Sequence, residues 1–250
     1  MRILIRIAYD GTGYNGFQCQ TNGVGVQDVV NDALSDLFSR RMKTMSASRT
    51  DAGVHAEGNV CVFDVETKIA PSKIAFALNA RLPEDIRIVE SKEVPPDFHP
   101  RFQSTIKTYE YRILNRAHPD PLSRHTEMHY YYALDEKKMN EAASYLIGEH
   151  DFLSFCASGY SSKTTIRTIY DAHVARSGDR IVFSVTGNGF LYNMVRIIAG
   201  TLIEIGALRY PPERMKDILM ARDRQSAGPT AVATGLVLMS IRYPDCPNDP

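Results

Sequence analysis

Cysteine is scarce, and what there is lies far apart. Cys19, Cys61, Cys156 and Cys246 form no C-x-x-C pair, so neither a zinc ribbon nor a disulfide framework is expected, and the thiols read as buried and reduced. Long hydrophobic runs are missing too. The most apolar stretch, Met194 to Leu208, is interrupted by Arg196 and Glu204 and does not make a membrane span. Met1 leads directly into Arg2-Ile3-Leu4-Ile5-Arg6, with none of the parts of a secretory signal, and a cytoplasmic protein is expected. Nor is there an excess of one charge: 29 Lys and Arg offset 29 Asp and Glu. Taken alone, that balance argues against a polyanionic partner, because phosphate binding usually leaves a basic surplus.

Position matters more than the sum. Arg40, Arg41, Lys43 and Arg49 form one basic cluster, Arg101, Lys107, Arg112 and Arg116 a second, and Lys163, Arg167 and Arg196 a third. Acids gather elsewhere, at Glu84-Asp85, Asp135-Glu136 and Asp245 to Asp249. This allows a basic cleft on a neutral protein; ordinary solvated surface is the plainer reading. His125 and His129 have metal-ligand spacing for a helix, but Tyr130-Tyr131-Tyr132 reads as a strand end, and no metal is expected there.

With 44% apolar residues the chain can bury a large core. Ile3, Ile5 and Ile7 alternate with Arg2, Leu4 and Arg6 as a strand does. Val26, Val29, Val30, Ala33, Leu34, Leu37 and Phe38 form the stripe of a helix. A strand at 43–47, a loop around Asp51, a strand at 59–65, a helix at 72–82 and a strand at 86–94 complete a β-α-β-β-α-β unit of ferredoxin-like type. Pro95-Pro96-Asp97-Phe98-His99-Pro100 forms a seam. Beyond it come strands at 105–114 and 128–132, then a helix capped by Asp135 and closed by Gly148. Strands at 165–176 and 180–186 follow, then a helix at 190–205, a shorter helix from Pro211-Pro212 and a last strand at 235–243. The expected fold class is α+β, two ferredoxin-like halves with mainly antiparallel sheets packed side by side around a central cleft. The expected domains are 1–104, carrying the Asp51 loop, and 105–250.

Chemistry concentrates in Ser48-Arg49-Thr50-Asp51-Ala52-Gly53-Val54-His55, which sets a cation, a hydroxyl, a carboxylate and an imidazole between two strands. Local chemistry alone favours an Asx-turn, with Asp51 two residues before Gly53. Gly11-Thr12-Gly13-Tyr14-Asn15-Gly16 formally fits G-x-G-x-x-G. A dinucleotide site needs those glycines to open a helix, however, and the next helix begins only near Val26.

The run Arg49-Thr50-Asp51-Ala52-Gly53-Val54-His55 resembles the signature of the tRNA pseudouridine synthase A (TruA) family. Other segments match in the same order: Tyr9-Asp10-Gly11, Tyr14-Asn15-Gly16-Phe17-Gln18, Leu78 to Ile86, Phe98 to Phe102, Lys107 to Arg112, Gly148 to Phe152, Gly189 to Arg196 and Gly228-Pro229-Thr230. The resemblance spans nearly the whole chain. It implies the pseudouridine synthase fold and an isomerase that converts uridine to pseudouridine at positions 38, 39 and 40 of tRNA, without cofactor or metal, as a homodimer. It implies Asp51 as the catalytic aspartate, Tyr109 stacked on the uracil, and Arg196 paired with the aspartate to keep it ionised. Leu236 corresponds to a wall of the pocket, and Arg49 and His55 to substrate binding. Tyr111 shares the strand face of Tyr109 and is the reserve candidate. Ser48 stands where a glycine is usual, Asn59 where glutamine is usual, and Val232 where proline is common. Two other readings compete: an RNA-binding module in which Asp51 caps a turn, and a glycosidase that would need a second acid, for which Glu57 is the nearest residue.

If the basic clusters meet one nucleic acid, affinity for an RNA stem-loop falls steeply between low and physiological salt in filter-binding titrations. A flat response would remove those clusters from binding.

Overall fold

The alternation of isoleucines becomes strand β1 (Arg2–Tyr9) in the computed structural model, which describes residues 1–21, 23–159 and 162–244. Cys246 and the acids between Asp245 and Asp249 lie outside them. Ile3, Ile5 and Ile7 are fully buried. From the other face Arg2 grips both Asp64 oxygens at 2.8 Å, and Arg6 Nε reaches Glu90 Oε2 at 3.1 Å. Helix α1 (Val26–Phe38) buries Val26, Val30, Ala33 and Leu34. It starts where the Gly25 N–H donates to Asp28 Oδ2 (2.9 Å) and ends at Ser39 in the left-handed region (φ 49°).

The chain divides into two compact units, residues 1–105 with 238–250, and residues 106–237. In the first, β2 (Met45–Ser46), β3 (His55–Asp64), α2 (Ile74–Asn79) and β4 (Ile86–Val94) follow α1. β1 lies antiparallel between β3 and β4, and β2 pairs with β3, which gives the order β4-β1-β3-β2 of a ferredoxin-like sheet. The last strand, β10 (Leu236–Arg242), belongs to this unit from Leu238 onward. After it, Tyr243 packs edge-on against Phe98 at 5.0 Å and donates to the Pro100 carbonyl at 2.9 Å, which closes the proline-rich seam.

The second unit contains β5 (Ile106–Asn115), β6 (Met128–Tyr130), α3 (Glu136–Ser144), β7 (Gly148–Asp151), β8 (Ile166–Ser177), β9 (Arg180–Gly187), α4 (Met194–Gly206) and α5 (Arg214–Ala221). Antiparallel pairing runs β5-β9-β8-β7, with β6 parallel to the end of β5. The order β5-β9-β8 matches β1-β3-β2, with α3 and α4 in the places of α1 and α2. The fold is thus α+β with mainly antiparallel strands.

Several boundaries differ from the sequence expectation. β3 begins four residues early, at His55, because Ala56 still pairs with Tyr9. Helix α2 keeps only six residues after a 3-10 turn at Pro71–Lys73. Asp135 caps α3 as expected, accepting from the N–H groups of Lys137 and Lys138 at 3.1 Å. Gly148 does not close that helix. It opens β7 at φ 110°, a conformation suited to glycine. α4 starts at Met194 because Asn193 takes the left-handed conformation (φ 60°). Of the three described cysteines, Cys61 and Cys156 are buried, but Cys19 is exposed. Among the described residues no helix is long and apolar enough to cross a membrane.

Helix α4 buries eleven of its thirteen residues, Arg196 and Glu204 excepted, each buried aliphatic side chain contributing about 1.5–3 kcal/mol. The Gly228-Pro229-Thr230 segment lies directly on it. A Cβ on Gly200 would stand 1.8 Å from the Pro229 carbonyl oxygen, and the Gly228 N–H donates to Thr201 Oγ1 at 2.9 Å. Gly200→Ala is therefore expected to destabilise the protein by about 3 kcal/mol, read as a lower urea midpoint. Gly13→Ala, with nothing within 4 Å, should leave the midpoint nearly unchanged.

Candidate active site

Asp51 sits half-exposed between two buried neighbours, Thr50 and Val54. The loop around it is held from beneath. The Thr50 carbonyl accepts the Phe17 N–H (3.0 Å), and the Val54 N–H returns to the Asp51 carbonyl (3.1 Å), making a tight turn closed through the backbone. Gly53 supplies the positive φ (77°). Thr50 Oγ1 is 2.8 Å from the Tyr9 hydroxyl. Asn59, fully buried on β3, donates from Nδ2 to the Ser48 carbonyl (3.2 Å) and the Tyr9 hydroxyl (3.3 Å).

Two glycines lie against this loop at distances no side chain tolerates. A Cβ on Gly11 would be 2.0 Å from the Val54 oxygen, and one on Gly16, whose φ is 82°, would be 2.8 Å from the Thr50 oxygen. The Gly11 to Gly16 segment is therefore a backbone cradle for the Asp51 loop, and helix α1 begins well beyond it. No glycine of the G-x-G-x-x-G pattern opens a helix, so the dinucleotide reading fails on geometry.

His55 is buried at the start of β3. Its Nδ1 accepts the Gly11 N–H at 3.1 Å and lies 3.1 Å from Asp10 Oδ1. The other ring nitrogen, Nε2, is buried with no partner among the described residues. His55 thus ties the glycine cradle to the loop. Nearby, Tyr14 donates to Asp85 at 2.8 Å, and burial together with that carboxylate pushes its phenol pKa up.

Arg49 points outward, exposed. Arg101 donates from Nη2 to the Ser46 carbonyl at 3.2 Å, and its pKa is lowered by desolvation and by the charge of Arg49. Two cations are therefore held near each other beside Asp51, an arrangement an anion would relieve. The rest of the second basic cluster is less open. Arg112 pairs with Glu110 at 3.0 Å, and Arg116 lies 3.7 Å from Asp179 and 3.8 Å from Asp120. In the third, Arg167 gives its Nη1 hydrogens to the carbonyls of Thr164 and Ile166.

The remaining candidates lie in the second unit. Tyr109, on β5, is buried with its ring edge-on to Phe190 at 5.1 Å. Arg196, half-buried in the first turn of α4, donates from Nε to the Ala231 carbonyl (2.8 Å) and from Nη1 to Asn193 Oδ1 (2.9 Å). Leu236 is buried at the start of β10. Tyr111 is fully buried, and its hydroxyl donates to the Val232 carbonyl at 2.8 Å and lies 3.2 Å from Met128 Sδ. Burial raises its pKa. His129 Nε2 meets the Arg116 carbonyl at 2.8 Å, and no group of three or more potential metal ligands gathers among the described residues. Sequence reasoning missed the support of the loop, Tyr9, Thr50 and Asn59, because no local pattern joins them.

Tyr111→Phe should lower stability by about 1 kcal/mol, since it removes the hydrogen bond from the buried ring to the Val232 carbonyl. Urea unfolding measures this, and an unchanged midpoint would contradict the anchoring role.

The geometry can now be set beside known proteins. The family model described as "tRNA pseudouridine synthase" matches residues 5–103 and 142–244. The chain is 45% identical over 241 residues to tRNA pseudouridine synthase A of Thermoanaerobacter sp. (strain X514), covering 96% of this chain and 99% of that one. The enzymes of the same name from Clostridium acetobutylicum and Bacillus subtilis (strain 168) are each 42% identical, over 241 and 245 residues, covering 96% and 97% of this chain and 99% of each relative. A match over both units, with the Asp51 loop inside it, leaves one conclusion: the chain belongs to the tRNA pseudouridine synthase family of isomerases, in its A-type branch.

Proposed function

We propose that this protein isomerises uridine to pseudouridine in the anticodon stem-loop of tRNA, at positions 38, 39 and 40. The observation that carries the proposal is the half-exposed Asp51 carboxylate on a loop whose neighbouring residues, Ser48 and Thr50, are tied to the buried side chains of Asn59 and Tyr9. Loops on rigid scaffolds place reactive groups, and the carboxylate of Asp51 can act as nucleophile or as base. The N1–C1′ bond breaks, the uracil turns within the site, a C5–C1′ bond forms, the C5 proton leaves and N1 takes one up. Atoms and electrons balance within one substrate, so the reaction needs no oxidant or reductant.

In this proposal Tyr109 stacks on the uracil and assists loss of the C5 proton, and Arg196 keeps the aspartate ionised. Arg49, His55 and Leu236 serve binding, with Arg49 entering where the target nucleotide is turned out of the stack. The unit carrying the Asp51 loop supplies the reactive group, and Tyr109, Arg196 and Leu236 come from residues 106–237. The enzyme works as a homodimer in the cytoplasm.

Incubation with a uridine-labelled anticodon stem-loop tests the reading. Pseudouridine is the expected product, with turnover unaffected by chelator on a prefolded substrate. Asp51→Asn should reduce the rate on the order of 10⁴-fold. Free uracil would indicate a hydrolase, and no product a binding module.

A further inference from the structure

We infer that Asn59 is the positioning residue of the catalytic loop, acting through Ser48 and through Tyr9 and Thr50 to hold the Asp51 carboxylate in register; this rests on the function proposed above. Asn59 lies on β3, has no exposed surface and engages both ends of its amide. Its Oδ1 accepts the Val60 N–H at 2.9 Å, which settles that Nδ2 faces the other way. From there Nδ2 donates to the Ser48 carbonyl at 3.2 Å and to the Tyr9 hydroxyl at 3.3 Å. That hydroxyl in turn lies 2.8 Å from Thr50 Oγ1, in a bond that either oxygen can donate.

One buried amide therefore reaches the residues on both sides of Arg49, by a direct bond to Ser48 and by a two-bond relay to Thr50. The consequence is visible in the exposures: Ser48 and Thr50 are each 7% exposed, Arg49 between them is exposed and Asp51 is half-exposed. Pinning residues 48 and 50 inward forces the side chain between them outward and leaves Asp51 to emerge from a fixed point. The relay has no slack, because Tyr9 is itself locked in β1 with its ring 5.7 Å from Phe17, whose N–H holds the Thr50 carbonyl.

The test uses the whole chain and three variants. Asn59→Asp keeps the shape but replaces the Nδ2 donor with an acceptor facing the Ser48 carbonyl. Tyr9→Phe removes the relay to Thr50 and leaves the Asn59 bond to the Ser48 carbonyl in place. Ser91→Ala is the control, removing a buried hydroxyl on β4 that bonds the Ala75 N–H (2.9 Å) and the Pro71 carbonyl (2.7 Å), with no link to the loop. Hydrogen exchange of peptides covering residues 46–56 is expected to quicken in Asn59→Asp and Tyr9→Phe but not in Ser91→Ala. Pseudouridine formation on the stem-loop is expected to lose about ten-fold or more in kcat in the first two, with KM within about three-fold, while Ser91→Ala loses Tm and keeps kcat. Unchanged exchange in both loop variants overturns the positioning role whatever the activity, as does a kcat loss that follows Tm equally in all three. A wild-type chain that makes no pseudouridine, with exchange altered as expected, overturns the proposed function and leaves the structural role of Asn59 standing.

Discussion

In the proposed chemistry, everything depends on keeping a short backbone stretch, residues 48–50, from moving. Three buried contacts hold it: the Asn59 amide on the Ser48 carbonyl, the Tyr9 hydroxyl on Thr50 Oγ1, and the Phe17 N–H on the Thr50 carbonyl. Each partner comes from a different part of the chain, so the loop is the meeting point of β1, β3 and the glycine cradle. A buried polar network of this kind stabilises little unless every member is satisfied, and then it specifies one geometry. The glycines complete it by absence of side chain: Gly11 and Gly16 let backbone lie against backbone where a methyl group would collide.

The elements that local chemistry determines could be read from the sequence. β1 follows from the alternation of Ile3, Ile5 and Ile7, α1 from its apolar stripe, and the start of α3 from Asp135. Elements set by tertiary pairing could not. Residues 55–58 carry no strand pattern, yet they lie in β3 because β1 extends to meet them. β7 is a four-residue strand made by pairing with β8. The site divides in the same way. Asp51 stood out by resemblance, since its own loop, read locally, suggests no more than an Asx-turn. Asn59 was visible only as a departure from the usual residue, because Tyr9, Ser48 and Asn59 are brought together by the sheet.

Charge follows a related logic. The neutral total conceals arginines with quite different duties: Arg2, Arg6, Arg112 and Arg116 pair with carboxylates, whereas Arg49 and Arg101 are held near one another beside the Asp51 loop. Composition could not separate these groups. An anionic substrate would be drawn to the second kind, where the cost of juxtaposed positive charge is already present.

The central claim is that a rigidly held Asp51 carboxylate performs the chemistry, and Asp51→Glu probes it most directly, because the substitution keeps the charge and moves it by one methylene. Single-turnover pseudouridine formation on an anticodon stem-loop should fall by about 10²-fold or more, with binding of the RNA retained. A glutamate variant that turns over at the wild-type rate would contradict the account.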